Sequence, residues 1–196
     1  MRKIGITGGV GTGKSTILQY MQKKYDAKII YADEVAHLLE AKGQPCYNKL
    51  VELLGKDILL DDGEINKKEM ASRIFSDSGL LDRVNAIIHP MVNSYIFGCI
   101  EKYEHEGVKL FVLEAALLIE NGYKNILDEI WYICTDDEVR RKRLKETRGY
   151  SDSKIDSIFK GQMNAGEYAA NCDSVIYNNG DVNEAFAAID KLLGEF

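Results

Sequence analysis

Nine residues near the amino end, Gly8-Gly9-Val10-Gly11-Thr12-Gly13-Lys14-Ser15-Thr16, combine glycines, one lysine and neighbouring hydroxyls at a spacing suited to a phosphate chain. They fit G-x-x-x-x-G-K-[ST] and stand between an apolar run and an amphipathic stretch, the setting the motif requires. Gly8, Gly11 and Gly13 allow positive φ and a close approach of the backbone to phosphate oxygens. Successive N–H groups then face inward as a nest, and the dipole of the following helix adds to the attraction. Lys14 reaches the β- and γ-phosphates, and the Ser15 hydroxyl is a ligand for Mg²⁺. The whole loop, Gly9, Thr12 and Thr16 included, is read as a nucleoside triphosphate site.

Two acids fall where a doubly wound sheet collects its chemistry, beyond the carboxyl ends of strands. Asp33 follows the run Lys28 to Tyr31, and Glu114 ends Leu110-Phe111-Val112-Leu113, an apolar strand plus acid of Walker B type. Either carboxylate can hold Mg²⁺, directly or through water, or accept a proton from an attacking hydroxyl. Asp33 is favoured for the proton, with a possible metal contact; a loose phosphoryl-transfer transition state makes its orientation matter more than its basicity. The plainer readings are an N-cap for Asp33 and a solvated helix-start acid for Glu114.

Arg140, Arg141, Arg143 and Arg148 lie on a helical stretch opened by Asp136 and Asp137, acids that suit a positive helix end. Guanidinium forks fit phosphate oxygens and stabilise charge in a transition state. A small kinase would place its closing lid here, at about residues 136–165. A solvated basic face is the alternative for any single arginine, and at least one is expected to reach phosphate.

The elements that must position these groups alternate. Strands are expected at Lys3–Thr7, Lys28–Tyr31, Leu110–Leu113, Ile130–Cys134 and Ser174–Tyr177, each followed by helix-period sequence. That order indicates βαβ units and a mostly parallel sheet. Ile17, Leu18, Met21 and Tyr25 share a helix face, and Asp181 with Glu184 opens a last helix carrying Phe186, Ile189, Leu192 and Leu193. Between the second and third strands, residues 35–105 read as a helical insertion, with a stripe from Val92 to Tyr103. His89-Pro90 reads as a turn between its helices, His37 and His105 as surface residues, and Trp131 as core.

A chain of 196 residues is about one domain. Its net charge of −6 disfavours nucleic acid and acidic membranes but not a small anion in a local cationic pocket. The cysteines Cys46, Cys99, Cys134 and Cys172 are scattered, without a C-x-x-C pair, and read as buried thiols in a reducing cytoplasm. No signal peptide or membrane span is visible.

With these landmarks in order, the chain resembles the dephospho-CoA kinase family over nearly its whole length. The carriers are Ile6 to Thr16, Ala32-Asp33 with Ala36, Arg73-Ile74-Phe75, Asn85, His89-Pro90, Leu117-Leu118-x-Glu120, Gln162, and Asp173 through Gly180. Tyr31, Ala116 and Tyr168 depart from residues common there, and Arg148 fits the lid pattern only with a one-residue slip. The resemblance implies an α/β, P-loop kinase-type three-layer fold. A five-stranded mostly parallel sheet would carry a helical CoA-binding insertion and a helical lid within one domain.

It also implies transfer of the ATP γ-phosphate to the ribose 3′-hydroxyl of dephospho-CoA, giving CoA and ADP, with Mg²⁺. Gly11 to Thr16 would bind ATP, and Asn178 to Gly180 would lie near its adenine. Lys14, Asp33 and the lid arginines Arg140, Arg143 and Arg148 would be catalytic. Arg73 and His89 would lie on the CoA side, with Asp33 and Glu114 facing substrate. A cytoplasmic monomer or small homo-oligomer is expected, with no nucleic-acid or membrane partner. Another P-loop kinase, acting on a nucleoside or nucleoside monophosphate, is the alternative, followed by a catalytically silent relative. A guanine-nucleotide switch is disfavoured, because Asn48-Lys49-Leu50-Val51 and Asn66-Lys67-Lys68-Glu69 both lack the aspartate of N-K-x-D.

Overall fold

The apolar runs become strands: β1 (Arg2–Thr7), β2 (Lys28–Tyr31), β3 (Leu110–Glu114), β4 (Glu129–Cys134) and β5 (Ser174–Tyr177). The helices are α1 (Lys14–Tyr25), α2 (Ala32–Glu40), α3 (Pro45–Leu54), α4 (Lys67–Ser76), α5 (Ser78–His105), α6 (Asp137–Arg148), α7 (Asp152–Lys160), α8 (Ala165–Asn171) and α9 (Val182–Leu193). This computed structural model describes residues 1–119 and 122–194, the side chains of Phe75 and Ser78 aside. Glu120, one of the family landmarks, lies outside the described residues. The chain divides into two compact units, Met1–Ile29 with Tyr103–Phe196, and Ile30–Lys102.

The sheet order is β2-β3-β1-β4-β5, with β1 parallel to both β3 and β4, and β4 parallel to β5. Parallel strands covered on both faces need unbroken apolar runs, and Leu110 to Leu113 are all fully buried. Because these four strands run the same way, their carboxyl ends share one edge of the sheet. The glycine loop follows β1, Glu114 ends β3, Thr135 follows β4 and Asn178 follows β5.

α1 buries Ile17, Leu18 and Met21, and α9 buries Ala185, Ile189 and Leu193. Tyr20 of α1 stacks on Phe186 of α9 with ring centroids 3.9 Å apart. Asp181 caps α9 as expected, accepting from Asn183 N, while a reciprocal capping box forms instead at α8, between Asn164 and Glu167.

The expectation of a helix after every strand fails at β3. Residues 115–128 hold only turns and a short 3₁₀ segment at Tyr123–Asn125, among the described residues. Gly122 stands within the segment at φ 71°, in the left-handed region, which a continuous right-handed helix does not accommodate. Its apolar residues pack on the sheet instead: Leu118 and Leu127 cover Gly5 of β1, a position where any Cβ would meet them at 2.8 and 2.7 Å.

After the end of β2 the second unit is built of helices, and among the described residues it holds one isolated bridge outside the named strands, Leu59↔Ile65. His89-Pro90 is not a turn: α5 runs unbroken from Ser78 to His105 with Pro90 inside it. Proline removes the hydrogen bond to the carbonyl four residues back. Ala86 and Pro90 are both exposed, so water can take that carbonyl, and the buried stripe Val84, Val92, Ile96 and Ile100 holds the helix together across the defect. Glu40, almost fully buried, is neutralised by an ion pair with Lys67. Burial pushes the Lys67 ammonium pKa down from its ordinary value.

All four cysteines are free; Cys46 and Cys134 are buried, and Cys99 and Cys172 half-buried. Burial raises the Cys172 thiol to about 11, so it stays protonated at neutral pH. His37 and His105 are exposed and Trp131 is fully buried, as their sequence contexts indicated. No helix of the described residues is long and apolar enough to cross a membrane.

Candidate active site

The loop between β1 and α1 takes the shape its glycines allow. Gly8, Gly11 and Gly13 have φ of 146°, 86° and 89°. At Gly13 a Cβ would collide with the Asn178 amide, and at Gly8 it would lie 2.7 Å from the Ile133 carbonyl. The loop therefore needs glycine twice over, for its torsions and for its neighbours. Its exit is the first turn of α1, where the N–H groups of Thr16 and Ile17 donate back to the Gly13 carbonyl at 3.1 and 3.4 Å; amides earlier in a helix have no carbonyl within it to reach.

Lys14 turns back across the loop. Its Nζ donates to the carbonyls of Gly8 (2.6 Å) and Gly9 (3.2 Å) and stands 3.6 Å from Glu114 Oε1. Glu114 is thus no freely solvated acid; its side chain is 15% exposed. Ser15 and Thr16 are exposed at the start of α1. The Thr12 hydroxyl closes the loop on itself by donating to Gly9 O at 2.9 Å.

The Thr12 carbonyl gathers donors from three elements. Asn178 Nδ2 reaches it at 2.8 Å, Thr135 Oγ1 at 3.1 Å and Arg143 Nη1 at 3.5 Å. Asn178 is buried, and its Oδ1 has no hydrogen-bond partner among the described residues. Thr135 was not singled out in the sequence. The available signal was a hydroxyl residue one step past an apolar strand, which is weak by itself.

A cleft of about 540 Å³ opens over this loop. Its walls include Lys14, Ser15, Glu114, Arg143, Arg148 and Asn178. The four arginines of α6 separate clearly. Arg143 and Arg148 line the cleft. Arg141 is drawn to α7 by Asp152 (2.9 Å) and Asp156 (2.5 Å). Arg140 is buried beside the loop, donating to the Val10 carbonyl at 3.0 Å and to Gln162 at 2.6 Å. Gly180 lies in the exposed turn after β5, where Asn179 Oδ1 accepts from Asp136 N at 2.8 Å.

The remaining candidates belong to the second unit. Asp33 is exposed in the first turn of α2, where its charge suits the helix dipole; it makes no side-chain cap of that helix, whose N-cap is Tyr31. Arg73 donates to the Leu54 carbonyl at 2.6 Å and faces Asp57 (3.3 Å) and Glu69 (3.4 Å), closing the end of α3. His89 is half-buried on α5. A wider hollow of about 610 Å³ at the carboxyl end of α1 mixes Lys23, Lys28 and Lys109 with Asp26 and Glu106. Lys24 also lines it, so four lysines stand against two acids there.

Comparison with known proteins adds an independent line. The sequence model of the dephospho-CoA kinase family matches residues 2–184. The dephospho-CoA kinase of Geobacter sulfurreducens is 34% identical over 192 residues, spanning 98% of this chain and 97% of that protein. That of Symbiobacterium thermophilum is 32% identical, spanning 97% and 79%. A solved structure from Thermus thermophilus superposes with a TM-score of 0.86 at 24% identity over 100% of this chain and 97% of that one. The dephospho-CoA kinase structure from Campylobacter jejuni gives 0.72 at 22% over 98% of each chain; both likenesses bear on the fold. A phosphate cradle of this build, in a chain matched nearly end to end, places the protein in the dephospho-CoA kinase family, of P-loop kinase type.

Proposed function

We propose that this chain transfers the γ-phosphate of ATP to the ribose 3′-hydroxyl of dephospho-CoA, giving CoA and ADP. The observation that carries the reading is the glycine cradle with Lys14 across it, opening into a cleft edged by Arg143 and Arg148, in a member of this family. Little covalent chemistry falls to the protein in such a transfer; positioning and charge stabilisation supply the rate. The amides of Gly11 to Thr16 grip the phosphates. Lys14 exchanges its carbonyl partners for β- and γ-oxygens. Arg143 and Arg148 stabilise charge on the transferring group. Asn178 Oδ1, a buried acceptor without a partner among the described residues, suits the amino group of adenine, with Gly180 in the adjoining turn.

Asp33 orients the incoming hydroxyl and takes its proton. Its exposed place directly after β2 and the family landmark around it support that role. The second unit, carrying Arg73 and His89, takes the acceptor. Ser15 and Glu114, both in the cleft wall, are oxygen donors of the kind Mg²⁺ accepts. That ion needs few protein ligands beside phosphate and water. Ser15, Glu114 and Asp33 are the residues proposed to hold it, and when bound it neutralises charge on the phosphate oxygens.

The test is a substrate panel with the purified chain. ATP-dependent formation of CoA, with the new phosphate located on the 3′-oxygen by phosphorus NMR, is expected. Phosphorylation of a nucleoside or nucleoside monophosphate but not of dephospho-CoA would overturn the reading, as would ADP release that no acceptor stimulates.

A further inference from the structure

Three hydrogen bonds close a ring around Val10. Its N–H donates to Gln162 Oε1 at 3.3 Å, and its carbonyl accepts from Arg140 Nε at 3.0 Å. Arg140 Nη2 donates to the same Gln162 oxygen at 2.6 Å. Both main-chain polar groups of one loop residue are thus held by side chains from α6 and from the turn after α7. The third guanidinium nitrogen, Nη1, donates to Asp137 Oδ1 at 2.8 Å, and the group lies 4.1 Å from the centre of the Phe159 ring. Gly9 is pressed against the same pair. A Cβ there would collide with Arg140 Nη2 and come within 2.7 Å of Gln162 Oε1.

Nothing in G-x-x-x-x-G-K-[ST] requires this ring. A loop rich in glycine loses much conformational freedom when it closes on phosphate. Contacts that fix it beforehand remove that loss from the binding step. The chemistry of the two side chains suits the task. A planar guanidinium serves two acceptors from one edge, which an ammonium cannot do in the same geometry. A neutral amide oxygen accepts two donors without adding negative charge beside a triphosphate.

We infer that Arg140 and Gln162 form a single positioning device that presets the Gly9–Val10 segment of the phosphate loop, so that the helical region after β4 sets nucleotide affinity. Neither residue touches phosphate in this role, and Arg140 is thereby separated from Arg143 and Arg148. The inference rests on the reading of the loop as a triphosphate site.

The experiment uses the full chain with Gln162→Met, Arg140→Lys and the double variant. ATP affinity is measured by titration calorimetry without any acceptor. Amide exchange is measured without nucleotide. Each single variant should weaken ATP binding about tenfold, and the double variant by no more than about tenfold, because a ring is broken once. Exchange at residues 9–11 should quicken in all three while amides of α7 and α8 keep their protection. Losses that multiply to about a hundredfold in the double variant would overturn the inference. So would unchanged ATP affinity with exchange quickening only in α7 and α8, the signature of a merely structural contact. Should Gln162→Met not fold, Arg140→Lys decides by the affinity and exchange readouts. No acceptor enters these measurements, so a wrongly named acceptor and a failed ring give separate results.

Discussion

Lys14 Nζ and Glu114 Oε1 face each other at 3.6 Å across the mouth of the phosphate loop, with side chains only 14% and 15% exposed. The lysine therefore has two duties, one toward the nucleotide and one toward a carboxylate that the sheet holds out of bulk water. Lys14→Met should abolish measurable ATP binding and also lower stability by about 1–3 kcal/mol, because a shielded carboxylate loses its nearby cation. Lys14→Met with Glu114→Gln should regain most of that stability and none of the affinity. Denaturant melts and calorimetry on both variants check this; a double variant no more stable than the single would remove Glu114 from the argument.

Asp33→Asn should leave ATP affinity near that of the parent chain while kcat falls by two or more orders of magnitude, as expected for a lost proton acceptor and positioning group. Steady-state kinetics with dephospho-CoA, paired with ATP titration, separates the two quantities. Near-normal turnover would show that another group orients the hydroxyl.

The arginines of α6 should divide as their contacts do. Arg143→Ala and Arg148→Ala line the cleft and should each lower kcat by at least about tenfold, the scale of one lost charge-stabilising contact. Arg141 faces Asp152 and Asp156 on the outside of α6, so Arg141→Ala should change kcat less than about threefold; exposed ion pairs contribute little. A large loss for Arg141→Ala alone would place the wrong face of α6 over the nucleotide.

The phosphate loop was legible because one short segment carries all its requirements: glycines for positive φ, then a lysine and a hydroxyl at a helix start. The strands were legible because a parallel sheet buried on both faces demands unbroken apolar runs, and all five expected runs became strands. What could not be read were long-range partners. Four arginines of one helix look alike in sequence; only the fold turns Arg140 onto Val10 and Arg141 onto α7. The last helix was found from its periodicity, but not that its Asp190 would meet Tyr20 and Tyr25, 170 and 165 positions earlier. Pro90 misled because proline is read as a stop, whereas an exposed proline in a helix held by buried neighbours is tolerated.

Asp190 ties α9 to the helix that leaves the phosphate loop. Lys24 donates to it at 2.7 Å, and the hydroxyls of Tyr20 and Tyr25 each donate at 2.6 Å. The ammonium first, then the two hydroxyls, hold its carboxyl down at about 2. The unfolded value is about 3.9, so the folded pKa is the lower one. The stabilisation is therefore complete above about pH 4 and is lost as the pH falls through about 2. Because the side chain is a third exposed, the effect is a modest one. Asp190→Asn should be less stable than the parent at pH 7 and should show a smaller loss of stability between pH 4 and pH 2. Parallel slopes for the two proteins in that window would show that other carboxylates govern acid unfolding.

Gly5 lies at the centre of β1, under Leu118 and Leu127, whose methyl carbons stand 2.8 and 2.7 Å from where a Cβ would sit. Leu118 is fully buried, so it has no easy way to yield. Gly5→Ala should then destabilise by about 1–3 kcal/mol through overpacking. Leu118→Ala should destabilise by about 2–5 kcal/mol through the space it leaves. The two defects are of opposite sign in volume and share one contact, so the double variant should be less destabilised than the sum of the singles. Relief will be partial, since Leu127 still crowds the new methyl. Leu118 also pins the segment that follows Glu114, which ties this packing to the cleft wall. Strict additivity in urea melts would mean that Gly5 is required by the strand's backbone and not by the side chains above it.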